Sequence, residues 1–203
     1  MKITVLSDIH GNLLALEAVL RHARGRGAAG TILNLGDVTG YGPNPDEVVR
    51  WTTGAHITSI LGNYDKKVLS KKHHKEGWAR VKNPDKRAMF AWTYKNLSKQ
   101  SRKRLKTFPE TRRMDLGGFR ILMTHGSPAS INEHVGPETP KKRLAELSEI
   151  AQTDIVLFGH SHLSFNREVN GVRFVNPGSV GRPDDGDPRA SYAIIDFQDG
   201  HLA

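Results

Sequence analysis

The 203-residue chain contains no cysteine, which removes disulfides, thiolate metal sites and cysteine nucleophiles together. Any metal has to be held by His, Asp, Glu or Asn. The chain also lacks a long apolar run. Nothing approaches the roughly 18 residues of a bilayer span, and the apolar start Ile3 to Leu6 is cut short by Asp8 and His10. With 37% hydrophobic residues, 25% charged residues and 20 glycines, the composition is that of a globular chain rather than a disordered, collagenous or membrane one. No internal repeat or low-complexity tail is found. At roughly 150 residues per domain, the length suggests one domain over 1–203 with elaborations, and a cytoplasmic location is expected.

The net charge is +9, yet it is unevenly spread. Asp65 to Lys106 holds 15 Lys and Arg against Asp65, Glu76 and Asp85, a local charge of +12, so the other 161 residues sum to −3. The basic character therefore belongs to one segment, read as a helical insertion around 66–107. Such a surface suits a polyanionic partner, a nucleotide or nucleic acid, while a plain solvated helical face explains the same charges.

Short runs rich in Ile, Val and Leu at 2–7, 31–35, 56–61, 120–124 and 154–158 read as buried strands. Leu13, Leu16 and Leu20 keep helical spacing between the first two, and Asp46 to Trp51 gives a shorter helix. This alternation predicts βαβ units and a mainly parallel sheet. From Pro84 to Phe108 the pattern becomes helical and cationic, with Met89, Phe90, Trp92, Tyr94, Leu97 and Leu105 read as packing residues rather than base-stacking ones. Hairpins are expected around Gly117-Gly118 and Asn170-Gly171, a helix over Pro140 to Ala151, and a last strand over Ala190 to Phe197. Gly25, Gly27 and Gly30 spell G-x-G-x-x-G, but they follow a helix and precede a strand. A phosphate cradle needs the reverse order, so they are read as a helix stop and loop.

Each of the five strand runs is followed within two residues by a possible metal ligand, namely Asp8 with His10, Asp37, Asn63, His125, and His160 with His162. In open α/β sheets ligands bind beyond the carboxyl ends of the strands, so these side chains would converge on one rim. Asp-x-His and His-x-His are expected to be extended, because residues i and i+2 of a strand share a side. Burying so many ionisable groups without cations would be very unfavourable. Imidazole, carboxylate and amide donors without sulfur suit Mn, Fe, Zn, Co or Ni better than Ca. His134 is read as a polar-loop histidine, and His22, His56, His73, His74 and His201 fit no metal pattern.

In order along the chain, Asp8-Ile9-His10, Gly36-Asp37, Gly62-Asn63-Tyr64-Asp65, His125-Gly126 and Gly159-His160-Ser161-His162 resemble the motifs of the calcineurin-like metallophosphoesterase superfamily. Asp8 to Asn12, Gly40 to Pro45 and Asn176 to Arg182 look most like its small prokaryotic phosphodiesterase branch, to which the Vps29 proteins are related. The resemblance implies a four-layer α/β/β/α sandwich of two mixed sheets with two divalent cations at the carboxyl ends of the strands. Mn is placed first among these, with Ni, Fe, Zn, Co and Mg as alternatives. It implies that Asp8, His10, Asp37 and His162 hold one metal, that Asp37, Asn63, His125 and His160 hold the other, and that Asp37 bridges them. The implied reaction is hydrolysis of a phosphate ester, most readily a diester, by direct attack of a metal-bridging hydroxide, with no phosphoenzyme and inversion at phosphorus. Asp37, Asn63, His125 and Tyr64 are the residues implicated in catalysis.

One departure from the family pattern matters: Tyr64 stands where the family commonly has a histidine that protonates the leaving group. Tyrosine is a poor proton donor at neutral pH, which shifts the expectation toward diesters and good leaving groups, unless Tyr64 merely lines the cleft. Asp65 either orients its neighbours or caps a turn. Asn12 could contact substrate phosphate or cap the helix beginning at Leu13, and Arg182 could clamp a phosphate oxygen. Two other functions fit the same motifs, a protein phosphatase and a non-catalytic metal-binding scaffold of the Vps29-like kind. Asp37-Val38-Thr39-Gly40 lacks the Asp-Arg-Gly of the protein phosphatases, and a full set of seven ligands argues against the scaffold.

Overall fold

A computed structural model describes residues 1–54, 56–70, 81–198 and 201–202 of the chain. Alternation in the strands decides the layering. In β1 (Lys2–Leu6) the side chains of Ile3 and Val5 point one way and Leu6 the other, and all three are fully buried because both faces of the sheet are covered. Strand β1 pairs in parallel with β2 (Ile32–Asn34), and β2 with β3 (Ile57–Ser59). A second sheet pairs β5 (Phe119–Thr124), β6 (Ile155–Leu157) and β8 (Val172–Pro177) in parallel. Antiparallel strands close the edges. These are β4 (Thr111–Leu116) on β5, β7 (Ser164–Val169) on β8, β9 (Ala193–Gln198) on β1 and β10 (His201–Leu202) on β9. The sheet orders are β10-β9-β1-β2-β3 and β4-β5-β6-β8-β7.

Three apolar clusters match the three interfaces of a four-layer sandwich. Ile3, Val5, Leu33 and Leu35 of the first sheet meet Ile121, Met123, Ile155 and Leu157 of the second. The outer side of the first sheet packs Leu6 and Ile32 against helices α1 (Leu13–Gly25), α2 (Pro45–Trp51), α3 (Asn63–Leu69), α4 (Pro84–Asn96) and α5 (Lys99–Leu105). The outer side of the second packs Leu122, Val156 and Phe174 against α6 (Lys141–Ala151). Each such fully buried side chain contributes roughly 1.5–3 kcal/mol.

Between 81 and 106 the basic segment forms α4 and α5. Phe90, Leu97 and Leu105 enter the core beneath α4 and α5. Trp92 differs from the reading as a packing residue and is 44% exposed. It lies two positions from Phe90, about 200° around a helix whose buried residues are Phe90 and Thr93, and so falls on the side away from the core. The chain breaks between α4 and α5, where the Ser98 hydroxyl caps the Ser101 N–H at 3.1 Å. Helix α3 was not anticipated, and residues 71–80 of the segment, with His73 and His74, lie outside the described residues. Gly25 ends α1 and Gly27 turns with φ +70°, as a helix stop requires.

Candidate metal centre

All seven ligand candidates follow parallel strands and gather on one rim. Asp8 and His10 leave β1, Asp37 follows β2, Asn63 opens α3 beyond β3, His125 directly follows β5, and His160 and His162 follow β6. The loops are tied to one another by their backbones. Asp8 N–H donates to Gly36 O (3.1 Å), His10 N–H to Asp37 O (2.9 Å), Gly159 N–H to His125 O (2.8 Å) and Gly181 N–H to Asp8 O (2.9 Å).

The expectation that Asp-x-His and His-x-His are extended is overturned. Asp8, His10, Asp37, His160 and His162 have φ of +54°, +50°, +51°, +67° and +60°. Left-handed backbone at a non-glycine residue costs on the order of 1–3 kcal/mol and persists only where the surroundings over-determine it. Here the cross-loop hydrogen bonds do so, folding each short loop back so that both side chains of a pair face the rim. Close approach also dictates glycine. A Cβ on Gly62 would collide with the Asp37 carboxylate and backbone nitrogen, and one on Gly159 with Ser7 Oγ and Asp8 Oδ2.

The histidines are held in one tautomer. Nδ1–H donates to Thr39 O from His10 (3.0 Å), to Leu35 O from His125 (2.8 Å) and to Arg182 O from His162 (2.5 Å). Each Nε2 therefore faces the rim, where a cation can take the place of its proton, the arrangement in which a backbone acceptor orients a metal-binding imidazole. His160 is reversed, giving Nε2–H to Asn132 O at 3.2 Å and leaving Nδ1. The Asn63 amide donates to Asn132 Oδ1 (3.1 Å), and its own Oδ1 is buried without a partner.

Around these donors, Asp8 Oδ1 lies 3.2, 3.8 and 3.9 Å from Nε2 of His162, His10 and His125. Asp37 Oδ2 lies 3.4 Å from His125 Nε2 and 3.9 Å from His10 Nε2. Asp8 Oδ1, Asp37 Oδ2, Asn63 Oδ1 and His125 Nε2 are all buried with no hydrogen-bond partner, and the Nε2 atoms of His10 and His162 face each other at 3.2 Å. Unpaired buried acceptors are costly and rare. Four of them aimed at one place, beside two opposed imidazole nitrogens, fit cations. Ligand atoms of Asp8, His10 and His162, and of Asp8, Asp37 and His125, lie within 4.8 Å of one another.

Titration follows the same geometry. Burial opposes charge on Asp8, yet the His162, His125 and His10 imidazoles hold its carboxyl below the ordinary range. Burial likewise opposes charge on His125, but the facing Asp37 and Asp8 carboxylates outweigh it and lift His125 to about 9. Burial, aided by the charges of His125 and His134, lowers His160 to about 4. Burial and then the Asp37 charge raise Asp65 to about 6.

Asp65 has the orienting role rather than that of a simple turn carboxylate. Fully buried, it accepts from Val38 N–H (3.1 Å), Thr39 N–H (2.9 Å), Thr39 Oγ1–H (2.7 Å) and Gly62 N–H (3.2 Å), which locks the loop after Asp37 to the start of α3. Tyr64 N–H then donates to Asp37 Oδ1 at 2.8 Å, fixing which carboxylate oxygen faces the rim. Asn12 spends both ends of its amide on the fold. Its Oδ1 accepts from Ala15 N–H at 3.1 Å as the cap of α1, and its Nδ2 donates to Gly181 O at 3.2 Å. It is not among the residues lining the adjoining cavity of about 400 Å³, whereas Tyr64 and Arg182 are. His134 also lines that cavity, its ring 4.2 Å from that of His160.

Sequence reasoning missed two residues here. Tyr41, at φ +53° between Gly40 and Gly42, shares a 2.7 Å hydrogen bond with the Tyr64 hydroxyl, and its place in the family-like segment Gly40 to Pro45 and its flanking glycines were the available signals. Asn132 orients both Asn63 and His160 from a loop without a motif.

Comparison with known proteins gives concordant results. The profile of the calcineurin-like phosphoesterase superfamily domain matches residues 1–200. Phosphodiesterase YfcE of Escherichia coli K12 is 30% identical over 207 residues, covering 97% of this chain and 88% of that protein. An uncharacterized protein of Methanocaldococcus jannaschii is 32% identical over 218 residues, covering 97% of this chain and 83% of its own. The crystal structure of a metallophosphoesterase from Sphaerobacter thermophilus superposes with a TM-score of 0.75 at 33% identity, covering 96% of this chain and 82% of that one.

Proposed function

The chain belongs to the calcineurin-like phosphoesterase superfamily, and from that premise we propose that it is a dinuclear phosphodiesterase, slower on phosphomonoesters, whose substrate is a nucleotide or small organic phosphate. Membership makes it a metal-dependent hydrolase of phosphate esters. The dinuclear centre, the diester preference and the substrate are the proposal. The observation that carries it is the convergence of four partnerless buried atoms, on Asp8, Asp37, Asn63 and His125.

In this reading Asp8, His10, Asp37 and His162 would hold one cation and Asp37, Asn63, His125 and His160 the other, with Mn as the first candidate. Bound cations supply Lewis acidity toward phosphate oxygens and a nucleophile at neutral pH. The chain positions the rest. Tyr64 N–H and the Asp65 lock hold Asp37 so that its Oδ2 can serve both sides, within 3.9 Å of His10 and 3.4 Å of His125. Thr39, Leu35 and Arg182 carbonyls keep imidazole Nε2 atoms on the rim. At the place of a leaving-group acid stands the Tyr64 hydroxyl, bonded to Tyr41, whose phenol is pushed up to about 12 by burial and by that bond. Phenols donate hydrogen bonds to a phosphate oxygen but are weaker proton donors than the imidazolium the family commonly has there, which favours esters whose leaving group needs no protonation. The whole chain, 1–203, acts as one unit in this proposal, with the basic segment 66–107 as its accessory. Among the described residues no helix is long and apolar enough to cross a membrane.

The test is hydrolysis of bis-p-nitrophenyl phosphate against p-nitrophenyl phosphate by chelator-stripped protein reloaded with Mn, Ni, Zn or Mg. Metal-dependent turnover with the diester ahead is expected. Faster monoester turnover would make the protein a phosphatase, and metal binding with no turnover of either ester would make it a scaffold.

A further inference from the structure

The cavity beside the metal ligands is charged beyond what one phosphodiester needs. Lys67 of α3, Lys86 of α4 and Arg182 of the loop after β8 reach it from three separate elements, and among the described residues Asp184 is the one acid of its outer rim. Asp37 belongs to its floor, where the cations of the family bind. The three basic groups surround the tyrosine pair. Lys67 Nζ sits 5.1 Å from the Tyr64 ring centroid, the Arg182 guanidinium 4.9 Å from that of Tyr41, and the charges of Lys86 and Arg182 both act on the Tyr41 hydroxyl. Against them, Asp184 approaches Arg182 Nη1 only to 3.9 Å. Among the described residues the outer rim thus carries three basic side chains and one acid, whereas a phosphodiester brings a single negative charge.

We propose that Lys67, Lys86 and Arg182 form a second anion subsite over the Tyr41–Tyr64 pair, so that the favoured substrate is a small phosphate ester carrying a further phosphate group. The inference rests on the phosphoesterase reading and names the substrate class of that site. A cavity of about 400 Å³ is of the size that holds one small ligand, and charge-assisted hydrogen bonds from Lys and Arg to phosphate are the strong ones. General electrostatic attraction, the competing account of the same lysines, also grows with the charge of the ligand, but it depends on the total basic charge of the surface rather than on these three side chains.

Calorimetric binding of thymidine 5′-monophosphate and thymidine 3′,5′-bisphosphate to the Mn-loaded protein separates the two. The bisphosphate should bind about tenfold or more tightly than the monophosphate, since one charged hydrogen-bonded contact is worth at least that ratio. In a Lys67→Gln/Lys86→Gln double variant the ratio should fall to near one, with the circular dichroism spectrum and the Mn content of the wild type, whereas a Lys99→Gln/Lys103→Gln variant, which removes the same charge outside the cavity, should keep the wild-type ratio, and an equal fall in both variants would overturn the proposal. Equal affinities in the wild-type protein would overturn the proposal. So would a double variant that weakens both ligands by the same factor, or oligothymidylate binding more than tenfold tighter than the bisphosphate. Because binding is read without turnover, a protein inactive on every ester would defeat the phosphodiesterase reading while leaving this comparison decisive on its own.

Discussion

Asp37→Asn should lower kcat on bis-p-nitrophenyl phosphate by at least about a thousandfold, because Lewis-acid stabilisation is worth several kcal/mol and each 1.36 kcal/mol is tenfold in rate. The substitution is close to isosteric. An asparagine carbonyl can still accept from Tyr64 N–H, as Asp37 Oδ1 does at 2.8 Å, so the loop keeps its path. What disappears is the negative charge on Oδ2, which lies between His125 and His10 and has no hydrogen-bond partner of its own. The metal-free variant should melt somewhat below the metal-free wild type, since it loses the charge that faces His125, whereas the rise in Tm on adding Mn, whose stabilisation follows RT ln(1 + [L]/Kd), should shrink. Thermal melts with and without Mn, beside steady-state rates, check both halves. Full turnover in the variant would mean that Asp37 is not the shared ligand.

Asp65→Ala should act differently, through position rather than ligation. Truncation strands the N–H groups of Val38, Thr39 and Gly62 and the Thr39 hydroxyl in a fully buried place. Each unsatisfied donor costs about 1–3 kcal/mol, and since the four relax together a total of about 3–5 kcal/mol is expected. For a chain of this length that is a fall in Tm on the order of 10 °C. Loss of an orienting residue behind metal ligands also lowers metal affinity about 10- to 100-fold. Because Asp65 touches no reacting group, turnover at saturating Mn should recover far more in this variant than in Asp37→Asn. Mn titrations of activity distinguish the two, and unchanged melting with unchanged Mn affinity would remove Asp65 from the account.

The motifs were legible because ligand chemistry and strand periodicity point to the same place. Five apolar runs became the parallel strands β1, β2, β3, β5 and β6, and their carboxyl ends carry Asp8, His10, Asp37, Asn63, His125, His160 and His162. The alternation that separates Ile3 and Val5 from Leu6 fixed the layers. The backbone of the ligand loops could not be read from i, i+2 spacing. Left-handed φ at Asp8 and His10 depends on hydrogen bonds to Gly36 and Asp37, residues far along the chain. Asp65 is a similar case, since its four donors come from two loops that meet only after the sheet has formed. Helix α3 is only seven residues long and begins at a glycine cap, too short for periodicity to register. Trp92 shows the limit of apolar spacing in a helix with no clear apolar face. Asn12, by contrast, followed the capping chemistry its sequence offered, taking the Ala15 N–H.

Anomalous diffraction at the Mn edge from crystals of the Mn-loaded protein tests the central claim most directly. Two peaks about 3.5–4 Å apart are predicted, one beside His10 and His162, the other beside Asn63, His125 and His160, with the Asp37 carboxylate between them. A single peak, or two peaks with Asp37 in contact with neither, would contradict the account.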